Sequence, residues 1–238
     1  AGVFDGVDVV LHWHPGDGNS ASPSSTTSNK SGRFTFAGRA AHAASAPDRG
    51  RSALDGVEAM NYMVNLMREH VPQTARMHYV ITDGGDAPNI VPETARLSGT
   101  IRTFDPEVRA QVHEKIRRVV TQVAESQGAT ATIDIDPGVP VTFNDAVLTG
   151  QLSPTLEAIY GTEHVSEPAR ITGAEDFSFF QEQVPGFFFF IGGRPADLPA
   201  SKAIPNHSPY FYVDEGALPL GVHAMSRLAV DYLRAGAQ

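Results

Sequence analysis

Apolar positions recur in this chain with two different periods, and the points where the period changes mark out its elements. Residues 7–12, "VDVVLH", are a short apolar run before a polar stretch and predict a buried strand. Gly16 to Ser31 is rich in Gly, Ser, Asn and Pro and reads as a connection or hinge. "GRFTFAGRAAHA" (32–43) alternates as a half-buried strand. Over 52–71 the positions Leu54, Val57, Met60, Met63, Val64 and Met67 repeat at helical spacing, and Ser52 with Asp55 forms an S-x-x-D start. Two more strands, 75–82 and 94–104, flank the turn-rich "DGGDAPNIVPE"; a helix follows over 106–128, with Pro106 in its first turn and Gly128 as a stop, then a strand over 129–136. Strand, helix, strand, strand, helix, strand is the element order of a ferredoxin-like module.

Past "PGVPVT" (137–142) the pattern changes again. Residues 146–161 predict a helix with Pro154 starting its second part, 175–184 a short helix, and 214–236 a final helix that tolerates Pro219 near its start. "GFFFFIGG" (186–193) is apolar throughout, as expected of a strand covered on both faces. The fold class expected is therefore α/β: residues 1–30 and 143–238 form parts of one layered α/β domain, and 31–142 form an inserted ferredoxin-like α+β module. No internal repeat interrupts this order.

Composition narrows the chemistry. With 41% hydrophobic and 19% charged residues among 238, the chain should bury a real core. No run approaches the roughly 18 apolar residues of a membrane span, the start lacks a signal-type segment, and a cytoplasmic, membrane-free protein is expected. A net charge of −9, with basic residues dispersed except for Lys115, Arg117 and Arg118, argues against nucleic acid. Zero cysteines rule out disulfides and thiolate sites, so a metal would need His, Asp or Glu.

Several residues could carry such chemistry. His12 and His14 lie two apart and point the same way on an extended segment; they are either metal ligands or a half-exposed pair. His207, in "NHSPYF", is a ligand candidate or a solvated loop histidine. Gly173 and Ala174 precede Glu175 and Asp176 at a helix start, where acids also serve as ordinary caps. His42 in "GRAAHAA", Asn89 in "GGDAPNIVP" and Arg102 in "GTIRTF" would together suit a carboxylate and a carbonyl, because a guanidinium pairs a carboxylate bidentately.

Taken in order, "HWHPGD", "GRAAHAASAPDRGRSALD", "GGDAPNIVPETARLSGTIRTF", "GAEDFSFF" and "NHSPYFYVDEGAL" resemble the signatures of the M20 metallopeptidase family. The branch they resemble is the amidohydrolases, which includes aminoacylases, N-acyl and indole-acetyl amino acid hydrolases and p-aminobenzoyl-glutamate hydrolase subunits. The resemblance implies a catalytic α/β domain with two divalent ions, zinc or manganese, interrupted by a ferredoxin-like lid through which the protein forms a homodimer. It implies hydrolysis of an amide beside a free carboxylate, with a Glu as general base. By the same resemblance His207 and either His14 or His12 are metal ligands, with His14 preferred. His42 is the lid histidine that stabilises the oxyanion in a partner subunit, Asn89 and Arg102 hold the carboxylate, and the backbone at Gly173 and Ala174 lines the pocket. In that family an early His, a bridging acid or Cys and an acidic pair precede the "LHW" segment. Nothing before His12 matches them, so the chain is expected to correspond to the C-terminal two-thirds or less of such an enzyme and to be inactive by itself. The alternative expectation is a non-catalytic ferredoxin-like dimerisation or ligand-binding module.

Overall fold

The computed structural model describes residues 2–21, 26–166 and 170–236. Its strands are β1 (Val10–Gly16), β2 (Asn19–Ala21), β3 (Ser28–Ala37), β4 (Arg76–Asp83), β5 (Thr94–Thr103), β6 (Thr130–Ile135), β7 (Val165–Ser166) and β8 (Gly186–Gly192). The α-helices are α1 (Ala53–Leu66), α2 (Pro106–Ser126), α3 (Ala146–Tyr160), α4 (Ser178–Gln181) and α5 (Ala217–Gly236). They divide between two units: Ala1–Thr26, Thr142–Ile171 and Glu175–Gln238 in the first, Thr27–Val141 with Thr172–Ala174 in the second.

The first unit is built on a sheet of order β1-β8-β2-β7. β1 and β8 run parallel, with His12 opposite Phe188 and His14 opposite Phe190. β8 is apolar throughout because both its faces are covered. Phe187, Phe189 and Ile191 pack on Leu148, Leu152 and Leu156 of α3 and on Ala224 and Leu228 of α5, while Phe188 is buried on the other side. Where the ladder leaves the Phe188 backbone open, Asn144 completes it. Its Oδ1 accepts from Phe188 N and its Nδ2 donates to Phe188 O, both at 2.7 Å. Several features depart from the expectation. β1 extends past the apolar run and carries both histidines; the supposed coil contains β2 and the start of β3; and α3 runs unbroken through Pro154 until Gly161, at φ 88°, ends it. The helix expected over 175–184 shrinks to the single turn of α4.

The second unit is a fully antiparallel sheet of order β4-β5-β3-β6. With β3-α1-β4-β5-α2-β6 as chain order, this is the ferredoxin-like arrangement. One face alternates inward: Phe34 and Phe36 of β3 and Leu97 and Ile101 of β5 pack against Val57, Met60 and Val64 of α1 and Val112, Ile116 and Val120 of α2. Both helix starts are capped. Asp55 N donates to Ser52 Oγ at 3.2 Å, and Glu107 N donates to Asp105 Oδ1 at 2.8 Å with Pro106 at the first position. β3 ends at Ala37, so His42 lies beyond the strand rather than at its end. Among the described residues no helix is long and apolar enough to cross a membrane.

Candidate active site

In the first unit, the chemistry gathers where β1 and β8 end, the place at which open α/β sheets put their sites. His14 Nδ1 lies 2.8 Å from Pro15 O. A carbonyl only accepts, so Nδ1 carries the proton and Nε2 keeps its lone pair for an electrophile or metal. His12 has a different setting. Its ring lies against Phe177, at 5.0 Å, and Phe188, at 5.4 Å, and those two rings are 6.1 Å from each other, so the three form one aromatic cluster. Burial pushes its pKa down, aided by His14 and opposed by Glu175 and Asp176, so the ring is held neutral as a packed plate.

The loop bearing His207 is fastened to the same spot. Asn206 Nδ2 donates to Pro15 O at 3.2 Å, so the carbonyl that fixes the His14 tautomer also holds the residue before His207. Gly193 N donates to Gly16 O at 2.9 Å, and Arg194 pairs with Asp17. His207 itself sits at φ 72°, the only described non-glycine residue with positive φ. Such a backbone persists only where the surroundings enforce it, and that is common at functional sites. A cavity of about 110 Å³ opens beside this junction, lined by Gly16, Arg194, Ile204, Asn206 and Phe211 among others.

These residues fit part of a metal site. An imidazole with a fixed tautomer and a second histidine on the loop fastened beside it are ligand types that a divalent ion takes, but among the described residues no three His, Asp or Glu side chains converge. The capping role open to Glu175 and Asp176 is not seen: α4 has Phe177 at its N-cap and no side-chain cap.

In the second unit, His42 Nδ1 accepts from Ala44 N and Ser45 N, each at 3.2 Å. The proton is thereby placed on Nε2, which becomes an outward donor. His42 bridges Ile90, and Ala43 N donates to Asn89 O at 2.9 Å, so His42 and Asn89 share one loop pair. Arg102 lies elsewhere. It is near the far end of β5, on the order of 27 Å from that strand's start at ~3.4 Å per residue. Its Nη1 is 3.5 Å from Thr172 O, beside Gly173 and Ala174. The five candidates therefore form two groups at opposite ends of one sheet, and a single copy of this unit does not bring Asn89 and Arg102 together on one carboxylate. Pattern reading missed Asn206 and Thr27; proximity to His207 could have flagged the first, and nothing in the sequence flags the second.

The chain has recognisable relatives. Residues 25–127 match the peptidase dimerisation domain of the M20 family. Thermostable carboxypeptidase 1 of Saccharolobus solfataricus is 30% identical over 98% of this chain and 60% of its own length. IAA-amino acid hydrolase ILR1-like 5 of Arabidopsis thaliana is 30% identical over 98% of this chain and 56% of its own. A solved Bacillus subtilis dinuclear metal binding peptidase from the M20 family superposes with a TM-score of 0.70 at 24% identity, over 98% of this chain and 59% of that one. The chain thus spans about 60% of the length of the curated relatives it matches. The matched dimerisation domain, these hydrolases and the ferredoxin-like unit within an α/β chain agree: the chain belongs to the M20 peptidase family.

Proposed function

We propose that this chain carries the lid and part of the catalytic domain of a metal-dependent amidohydrolase acting on an N-acyl or aminobenzoyl amino acid, or a small peptide, with a free carboxylate. The observation that supports it most is the Pro15 carbonyl, which orients His14 and anchors Asn206 beside His207. His14 and His207 would hold zinc or manganese, and His12 is the packing neighbour. Divalent ions held there would supply Lewis-acid polarisation of a carbonyl and an acidified water. The chain's own residues orient the substrate. Arg102, with the Gly173 and Ala174 backbone, takes its carboxylate, and His42, with its proton on Nε2, donates to the oxygen that gains charge.

Because His42 and Asn89 stand at the opposite end of the sheet from Arg102, both serve the site of a second copy. The protein therefore works as a homodimer through the lid. A surface suited to that pairing is present: Tyr62, Met63 and Leu66 on α1 and Val80 and Ile81 on the edge strand β4 are exposed apolar residues. Asn65 Nδ2 donates to Tyr79 Oη, joining that helix face to that strand.

A second reading, a non-catalytic dimerisation or ligand-binding module, is favoured by the lack of three convergent ligands among the described residues. Zinc titration of the 238-residue chain followed by NMR separates the two. Weak, paired shifts of the His14 and His207 rings without hydrolysis of N-acetyl amino acids support the first reading. No response of either ring overturns it.

A further inference from the structure

We propose that Thr27 is a positioning residue that turns the backbone N–H groups of Gly173 and Ala174 into a paired donor for a carboxylate; this rests on the reading above, in which that segment receives the substrate's carboxylate. Thr27 is fully buried at the start of the second unit, and Thr172–Ala174 belong to the same unit although they come from far along the chain. Thr27 N donates to Gly173 O at 2.8 Å. Its hydroxyl lies 2.6 Å from Gly173 O and 3.0 Å from Thr172 O.

Two successive carbonyls thus face one side chain. In an extended strand they would point to opposite sides, so Thr27 holds this segment in a turned form. All peptide bonds here are trans, and in a trans unit the N–H is antiparallel to the C=O it is bonded to. The Gly173 N–H opposes the Thr172 carbonyl, and the Ala174 N–H opposes that of Gly173. Both therefore point away from Thr27, side by side. Among the described residues neither donates to another backbone carbonyl. Two adjacent N–H groups turned outward form an anion-binding concavity.

The test uses the full chain with N-acetylglycine as probe, read by amide NMR shifts and hydrogen exchange at Gly173 and Ala174, with Thr27→Val, Thr27→Ser and Ser28→Ala. Ser28 is equally buried, and its hydroxyl donates to Thr103 O at 2.8 Å, so Ser28→Ala removes a similar bond that does not hold the segment. Thr27→Val should weaken probe binding about tenfold and speed exchange at both amides, the effect of one lost buried hydrogen bond, and Thr27→Ser should restore both. Ser28→Ala should lower the melting temperature and leave both readouts alone. In the active enzyme Thr27→Val should raise KM far more than it lowers kcat. Unchanged exchange in Thr27→Val, or equal effects of Ser28→Ala, would overturn the proposal. If the unaltered chain does not bind the probe, the carboxylate reading fails, and the exchange rates alone then decide the role of Thr27.

Discussion

Two histidines one residue apart look equivalent in a sequence, and their surroundings make them different. His14 has its Nδ1 committed to Pro15 O and its Nε2 available, whereas the His12 ring is packed in a cluster with Phe177 and Phe188. In the active enzyme His207→Ala should therefore remove a ligand and lower the metal-dependent rate by at least a hundredfold, measured as kcat/KM at saturating metal. His164→Ala should change it less than twofold, because His164 is a surface side chain whose Nε2 lies 3.5 Å from Glu163 Oε1. Equal losses would show that the site is elsewhere. The i, i+2 spacing of His12 and His14 was visible in the sequence; the carbonyl that selects one of them comes from the end of β1 and was not.

At the scale of elements, α2 shows how far local pattern reaches. Its cap, its Pro106 and its apolar stripe are all local features, and Asp105→Ala should lower the second unit's stability by about 1 kcal/mol in chemical denaturation. What α2 packs against is not local. His113 turns inward, where both its ring nitrogens and Asn61 Oδ1 on α1 are buried without a hydrogen-bond partner among the described residues. Burial, followed by the positive charges of Lys30, Arg109 and Arg117, pushes its pKa down to about 4, against a pull from Asp136. The unfolded chain thus takes up a proton near pH ~6.5 that the folded one refuses until about pH 4, so this contribution to stability is full above ~6.5 and is lost as pH falls toward 4. His113→Leu should flatten that slope, sparing on the order of 1 kcal/mol between those pH values after allowance for solvent screening. Urea midpoints at pH 7 and pH 4.5 check it, and an unchanged slope would contradict it.

For the whole molecule, the prediction is assembly. Sedimentation at micromolar concentration should show a dimer, and Leu66→Glu with Val80→Lys, on the exposed apolar faces of α1 and β4, should yield a folded monomer; a dimer unaffected by both changes would place the interface elsewhere. The sequence by itself determined the ferredoxin-like order, the apolar β8, the cap at Ser52 and the start of α2 at Pro106, because those depend on residues close together in the chain: side-chain period, turn chemistry and a first-turn acceptor. Tertiary structure decided which residues meet. It carried α3 through Pro154, made a strand of residues read as coil, put Thr172–Ala174 with Thr27, and set His42 and Asn89 at the far end of β5 from Arg102. Those outcomes follow from sheet register and from hydrogen bonds between distant segments, such as Thr27 to Gly173, 146 residues apart, and Asn206 to Pro15, 191 apart, and such pairings leave no periodic trace in the sequence.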